Sequence, residues 1–493
     1  MKMVKSLLLG SAATFVAAAG VQAADLPMKA KAVEYVKVCS LYGAGYYYIP
    51  GTDTCIKIGG YVRFDAAFNG APSGAGPYIS GANSRFNAAE TNYYNWRTRY
   101  NTSFDVRTQT EYGTLRSYIR AGMQYTTGAA PNAQGDDSAL RKDDGAVFYD
   151  RAFIQFAGFT FGKTVSFFDF YSNAGMSNVS TLGAADSGNG MNLAAYTAML
   201  GNGVSLSIEA GDPATHRRMN IYNGANGAFT FGGASTNSYG GTEIPDITAA
   251  LRVDQAWGSA QVAGVAHQVR PIYYNAGTPG TTNNGRPDDK WGFAVMAGMN
   301  INLPWAKGDR FIVSGTYTEG VLGTVQKNGS TAYSIWKGQS ATDMTLGYAV
   351  DAVFNGTGTQ LQLTTGWGAV AGIEHYWVPN LRTSLLGTYT AIRYSGSSTD
   401  ATSAKGIVCA GITGLAAASC NPDVNLWQLG SRTVWSPVPN LDLSVEGFYT
   451  RIDQNNSGTS TLAAGAMPTG VARNLVDDGV WSFNFRAQRN FWN

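Results

Sequence analysis

The chain has 493 residues, of which 44% are hydrophobic and 12% aromatic. Only 14% are charged, against about 25% in soluble domains, which argues against a soluble protein of three domains of about 150 residues each. Beyond the N-terminus no stretch approaches the roughly 18 to 20 consecutive apolar residues of a membrane-spanning helix, and 35 basic against 33 acidic residues argue against a nucleic-acid partner. An all-β protein, with lipid as a candidate solvent, is the class that remains.

The N-terminus has the pattern of a secretory signal peptide. Lys2 and Lys5 precede an apolar run over residues 7–19, and small residues end at Ala23. Residues 1–23 are therefore predicted to be a signal peptide cleaved after Ala23; a first membrane helix is the less favoured alternative because the run is short. Removing Lys2 and Lys5 leaves 33 basic against 33 acidic residues, so any useful charge must come from how the signs are arranged.

The four cysteines form two close pairs in the sequence, Cys39 with Cys55 and Cys409 with Cys420. Four cysteines allow three connectivities, of which local pairing is favoured, and the exported context favours disulfides. A metal site is disfavoured because neither pair has Cys-x-x-Cys spacing. Residues 24–56 are accordingly predicted to be a disulfide-clipped segment that leads into the first strand.

Hydrophobicity alternates with period two in segments of about ten residues. Over residues 94–109, one parity carries Tyr94, Trp96, Tyr100 and Phe104, and the other carries asparagine, arginine and aspartate. The final strand, over residues 480–491, has the same split. Alternation alone also fits a soluble β-sandwich.

The connections divide into short turns and long polar loops. Seven tight turns are predicted at residues 111–113, 158–160, 201–203, 256–258, 304–309, 378–380 and 437–440. Each joins two strands, and a first strand near 57–68 and a last near 480–491 bring the number to sixteen. The prediction is a 16-stranded antiparallel transmembrane β-barrel over residues 57–493, wide enough for an aqueous channel. Strand register between 310 and 378 is left open, because residues 320–365 offer more than one alternating run.

Tryptophans cluster near the predicted strand ends, and indole prefers the membrane interface. Ordinary core aromatics are the alternative. These residues are Trp291, Trp305, Trp377, Trp435, Trp481 and Trp492.

Arginines concentrate on the inner parity of the first four predicted strands. They are Arg63, Arg97, Arg99, Arg107, Arg116, Arg120 and Arg151. Asp105 is the single acid on the inner faces of strands two and three, so a basic strip is predicted down the inside of the wall. The alternative is a solvated face of scattered arginines.

The segment over residues 169–192 is predicted to be a constriction loop. It is rich in Gly, Ser and Asn, holds Asp169 and Asp186, and lies in a stretch from 164 to 216 without Lys or Arg. Folded into the lumen, its acids and carbonyls are expected to face the arginines and to form a filter for size and charge. An outward surface loop is the alternative.

Catalytic signatures are absent from the sequence. There is neither a Gly-x-Ser-x-Gly elbow nor a His-Glu-x-x-His helix, and an outer-membrane hydrolase would need a serine beside His216, His267 or His375. No enzymatic activity, metal or cofactor is predicted.

Three stretches carry a resemblance to a known family. The most specific holds Val38-Cys39, Gly43-Ala44-Gly45, the run YIPGTDTC at 48–55 and IGGYVR at 58–63; the others are DRAFIQFAG at 150–158 and the last strand. In these the chain resembles the alphaproteobacterial porin family of the rhizobial type. The resemblance implies a homotrimeric, sixteen-stranded passive diffusion channel whose third external loop narrows each pore.

The leading hypothesis is thus a porin for ions and small hydrophilic solutes, with outer-membrane lipid and lipopolysaccharide as partners and no nucleic acid. A sugar-selective channel is the first alternative and would need an inward aromatic track, for which Tyr61, Tyr118 and Tyr149 are candidates. A structural or adhesive surface protein is the second.

Overall fold

The computed structural model describes most of the chain after residue 36. The described residues are 37–71, 76–77, 94–127, 146–170, 176–178, 182–185, 187–188, 190–215, 219–226, 237–274, 285–326, 332–335, 342–412, 414–461 and 471–491. The predicted signal peptide, Asp186, His216 and Trp492 lie outside them.

Sixteen strands of the described residues form one closed antiparallel barrel. Their bounds are β1 Thr54–Phe68, β2 Tyr94–Thr110, β3 Gly113–Thr127, β4 Ala146–Phe156, β5 Phe159–Thr164, β6 Met191–Gly201, β7 Val204–Gly211, β8 Asp246–Gln255, β9 Gly258–Val269, β10 Lys290–Asn302, β11 Arg310–Glu319, β12 Thr365–Val378, β13 Leu381–Arg393, β14 Val424–Val438, β15 Leu441–Gln454 and β16 Asp478–Phe491. Each strand pairs with the next in the chain, and β1 also pairs with β16, with Gly60 opposite Phe491. The predicted sixteen-stranded barrel is confirmed.

All seven predicted turns lie at one rim of this barrel. In the described residues, six of them are two residues long and the seventh spans 303–309. The turn between β6 and β7 shows why the residue types matter: Asn202 and Gly203 have φ of 49° and 74°, the left-handed values that two-residue hairpins require and that Asn and Gly tolerate. β1 begins at Thr54, three residues before its predicted start, and β16 begins at Asp478.

The two faces of the wall separate as the alternation predicts. On β2, Trp96 is 53% exposed and Arg97 only 1%. Exposed aromatic side chains recur on the same outer parity of other strands, and the described tryptophans of the predicted interface set are all exposed: Trp291, Trp305, Trp377, Trp435 and Trp481.

Long connections occupy the other rim, and those of the second half of the chain fold together. The register left open by the sequence resolves simply: β11 pairs directly with β12, with Arg310 opposite Glu374. The alternating runs between these strands form short strands that are not part of the barrel sheet: Ala332–Ile335, Asp343–Tyr348, Ala352–Phe354 and Gln362–Leu363. A short helix, α1 (Ala404–Ala410), follows β13, and the Ser403 side chain caps it by accepting from the Gly406 amide.

These connections bury an apolar core against the inner face of β13 to β16, at the ends of the strands near the long-connection rim. We call it the loop cluster; it includes Leu322, Val325, Leu346, Val350, Val353, Ile407 and Val408 from the connections, and Ile392, Val424, Leu426, Ile452 and Val480 from the strands. Two disulfides are present, Cys39–Cys55 and Cys409–Cys420, and the second ties α1 to the chain entering β14. Among the described residues, no helix is long and apolar enough to cross a membrane.

Candidate functional site

All seven arginines of the predicted basic strip come from β1 to β4, and we call them the arginine wall. They occupy the parity opposite the exposed apolar side chains, so their side chains face inward. The described structure gathers six of them around three carboxylates of the wall itself, while Arg151 donates to the backbone carbonyls of Asp150 and Gly188.

Asp65 on β1 is the centre of the first group. Its buried carboxylate faces Arg97 at 2.7 Å (Nη2 to Oδ2), Arg63 at 3.1 Å and Arg486 of β16 at 2.6 Å. Three guanidiniums on one carboxylate leave an excess of positive charge. The pairing with Arg486 forms across the seam where the barrel closes.

Asp105 on β2 is the centre of the second group. Arg107 donates to it from Nε at 3.0 Å and from Nη2 at 2.9 Å, and Arg116 does so at 2.9 and 2.8 Å. Arg116 also donates to Gln155 on β4 at 2.9 Å. About a quarter of each arginine side chain is exposed, 27% and 26%, so this group borders the lumen.

Asp150 on β4 is the centre of the third group. It accepts two 2.7 Å bonds from Arg120, and Arg99 lies 3.8 Å away with its guanidinium carbon 3.8 Å from the Phe148 ring centre. Arg120 pairs with Arg151 while Ala121 pairs with Tyr149, so Asp150 is an extra residue in the strand. Such a bulge turns consecutive side chains to one face, and Asp150 and Arg151 both reach the inside.

Sequence reasoning placed Asp105 on the inner face but did not assign Asp65 or Asp150. Asp65 shares the parity of Arg63, so counting carboxylates on β1 would have found it. Strict alternation from Arg151 puts Asp150 outside, and only the bulge corrects this. The same bulge overturns one candidate of the aromatic track: Tyr149 points outward and is 58% exposed, whereas Tyr118 stacks inside on Phe153 at 5.3 Å.

Within the described residues, the charge on this side of the barrel is strongly positive. The arginine wall and Arg486 supply eight guanidiniums, and Asp65, Asp105 and Asp150 supply three carboxylates. The difference is five positive charges before Lys57 of β1 or any loop residue is considered.

The segment between β5 and β6 packs on the other side. Ser384 of β13 donates to the Met176 carbonyl at 2.7 Å, and Glu446 of β15 accepts from the Asn178 amide at 2.9 Å. Gln428 of β14 accepts from the Leu182 amide at 2.9 Å. These partners lie on the inner parity, so the described residues from Met176 to Leu182 lie against the inner face of β13 to β15, whereas Phe167 and Phe168 at the start of the segment contact Gln261 of β9.

Two carbonyls of this segment reach the basic side. The Gly188 carbonyl accepts from Arg151 at 2.8 Å, and the Asn178 carbonyl accepts from Arg486 at 2.7 Å. Asp169 accepts from the backbone and hydroxyl of Ser187, so its carboxylate is held within the segment. The carboxylates bound to the arginines belong to the wall, and Asp186 lies outside the described residues.

The described histidines have carboxylate partners. His267 Nδ1 lies 2.6 Å from Asp246 with Nε2 3.1 Å from the Tyr239 hydroxyl, and His375 Nδ1 lies 2.6 Å from Asp309. Asp246 and His267 are buried in β8 and β9 near the long-connection rim of the barrel, while Asp309 belongs to the short turn at 303–309. Neither set contains the serine that the hydrolase alternative requires.

Comparisons with known proteins agree on one family. A family model described as "Porin subfamily" matches residues 25–475. Porin Omp2b of Brucella suis biovar 1 (strain 1330) is 32% identical over 277 residues, and that of Brucella canis is 31% identical; both alignments cover 53% of this chain and 65% of the relative. The chain thus matches just under two thirds of the length of these relatives.

One solved structure has a similar fold throughout. The outer membrane channel DcaP of Acinetobacter baumannii aligns with a TM-score of 0.55 over 90% of this chain and 99% of that one, at 16% identity. At that identity the likeness is one of fold.

Proposed function

This chain belongs to the porin family whose model spans residues 25–475, and from that premise we propose that it is a passive diffusion pore for ions and small hydrophilic solutes. Family membership implies a channel and not an enzyme, in the outer membrane of a bacterium. A sixteen-stranded barrel is wide enough to leave a water-filled path where an eight-stranded one is filled by side chains. Such a path lowers the barrier to transfer without chemistry or energy coupling.

The observation that carries the proposal is the division of the lumen. The segment between β5 and β6 bonds to β13, β14 and β15, and among the described residues only its Gly188 and Asn178 carbonyls reach the arginines of the opposite side. We assign residues 169–192 as the constriction loop and the arginine wall as the opposite side of the opening. The eight guanidiniums against three carboxylates favour anions over cations of equal size.

We also propose the processing and assembly of the chain. Residues 1–23 are removed as a signal peptide after Ala23, residues 24–56 form the disulfide-clipped segment and residues 57–493 the barrel. The exposed apolar outer face supports contact with outer-membrane lipid, lipopolysaccharide and two further copies in a homotrimer, as the family resemblance implies.

Single-channel recording of the refolded protein in a planar bilayer tests the function. We expect stepwise conductance, and a reversal potential of anion-selective sign in a salt gradient. A folded protein without conductance would instead support the structural or adhesive alternative. Cation selectivity would overturn the role of the arginine wall while leaving the pore intact.

A further inference from the structure

The disulfide-clipped segment folds back against the barrel at the short-turn rim. Tyr47 and Tyr48 pair with Ile56 and Cys55 at the start of β1, and the Cys39–Cys55 disulfide closes the hairpin. The rim is identified by the neighbouring strand, because Thr54 lies opposite Thr108, two residues before the end of β2. The segment therefore stands beside the mouth of the lumen that is opposite the loop cluster.

A cavity of about 580 Å³ opens between this segment and the wall. Tyr42 and Tyr46 line it from the segment, Lys57, Asp105 and Arg107 from β1 and β2, and Tyr118 from β3. Its volume is in the range of small-molecule sites, and aromatic walls with a few convergent polar groups are typical of them.

The charges around this cavity are unequal. Asp105 is saturated, since Arg107 and Arg116 each donate two bonds to it. Lys57 has no carboxylate partner among the residues the structure describes. Three cations therefore share one carboxylate, and an incoming anion meets two uncompensated positive charges.

The aromatic rings hold these cations in place. The Arg107 guanidinium carbon lies 5.2 Å from the Tyr46 ring centre and 5.6 Å from that of Tyr42, and Lys57 Nζ lies 5.9 Å from that of Tyr46. The two tyrosine rings are themselves 5.8 Å apart. Cations fixed over rings within about 6 Å are positioned before a ligand arrives, and the same rings offer an apolar surface to its body.

We propose that this cavity binds small organic anions, with a carboxylate at Lys57 and Arg107 and a flat apolar body against Tyr42 and Tyr46. The site rests on the proposed pore function only for how the anion reaches it. It gives the disulfide-clipped segment a role in solute recognition at the short-turn end of the arginine wall.

Calorimetric titration of the refolded full-length chain in detergent micelles tests the proposal with benzoate as the probe. We expect saturable binding and an affinity about tenfold lower in Lys57→Met, the loss of one charge-assisted hydrogen bond. Lys307→Met is the matched control, because Lys307 is an exposed lysine in the 303–309 turn at the same rim. Its affinity should equal that of the unmodified chain.

A second variant and two further probes separate the parts of the site. Tyr46→Leu should weaken benzoate binding and leave phosphate binding unchanged, since phosphate has no flat body. The proposal would be overturned by any of three results. Benzoate does not bind, its affinity falls equally in Lys57→Met and Lys307→Met, or benzamidinium binds as tightly as benzoate. If the refolded protein shows no channel conductance but still binds benzoate, the proposed pore function is contradicted and the proposed anion site is supported.

Discussion

The inner face of β1 to β4 and that of β12 to β15 are built from the same barrel but treated in opposite ways. The first carries the arginine wall and three carboxylates, a clear excess of positive charge, and the second carries near-balanced charges, Arg382 and Arg432 with Glu374 and Glu446, among small and neutral residues such as Gly368, Ser384 and Gln428. The structure covers the second with the segment between β5 and β6 and with the loop cluster. An excess of like charge is costly to cover because its desolvation must be offset by new partners, whereas a face with near-balanced charge needs only a few hydrogen bonds to the segment that covers it. The balance of side-chain charge thus distinguishes the covered half of the barrel from the half that carries the arginine wall.

Arg97→Ala breaks this comparison most severely. Arg97 is buried, 1% exposed, and its loss leaves Asp65 with only Arg63 and Arg486. Removing one partner of a buried ion pair costs about 3 kcal/mol, so we expect unfolding at markedly lower urea, followed by the mobility shift of the barrel on gels. Arg116→Ala, at the lumen-bordering Asp105 group, should lower the free energy of unfolding by less than about 1 kcal/mol. Equal costs would contradict the distinction between buried and lumen-bordering arginines.

Gly368→Ala tests the covered face. A Cβ at Gly368 would lie 2.5 Å from the Gly183 carbonyl oxygen, so the backbone of the segment between β5 and β6 must move away from β12. Overpacking of this kind costs about 2 kcal/mol, and we expect altered single-channel conductance with an intact barrel. Gly387→Ala is the matched control, since its nearest contacts are at 3.8 Å. Unchanged conductance in Gly368→Ala would show that the segment does not narrow the path.

Arg116→Ala sharpens the electrostatic half of the comparison. It removes one cation beside Asp105, so the reversal potential in a salt gradient should move toward cations and conductance should rise slightly. Arg489→Ala is the control, because Arg489 lies on the outer parity near the same rim. A shift of equal size in both variants would place the selectivity outside the arginine wall.

The smallest expected effect is a pH dependence of local stability in the long connections, around the buried carboxyl of Asp351. Asp351 accepts from the Met219 amide at 2.6 Å, the Leu322 amide at 2.8 Å and the Tyr239 hydroxyl at 2.8 Å, and Tyr239 contacts His267. Burial raises the pKa of Asp351 to about 6, against the opposing effects of His267 and these donors. Because the folded pKa lies above the ordinary value of 3.8, this contribution to stability is present below pH about 4 and is lost as pH rises through about 6.

Amide hydrogen exchange at Met219 and Leu322, corrected for intrinsic rates, measures it. Protection should be lower at pH 7 than at pH 4.5, and Asp351→Asn should remove the difference. A pH dependence that persists in Asp351→Asn would assign it to another group.

The features that the sequence predicts correctly are those that neighbouring residues determine. The seven turns were accessible because residues such as Asn202 and Gly203 act within two positions, and the wall faces because alternation is a property of neighbours. The bulge at Asp150 was not, since one extra residue is visible only against the partner strand. The contact of the segment between β5 and β6 with β13 to β15 was not predictable, because it depends on pairs such as Asn178 with Glu446, 268 residues apart, which no local pattern encodes.

The pairing of Asp65 with Arg486 also has a consequence for biogenesis. These residues are 421 positions apart, so the bond forms only when the last strand has been synthesised, exported and docked on the first. Until then a buried acid of the first hairpin lacks one of its cations. The ion pair therefore depends on completion of the chain: a barrel that lacks β16 has an open edge at β1 and an Asp65 carboxylate short of one cation.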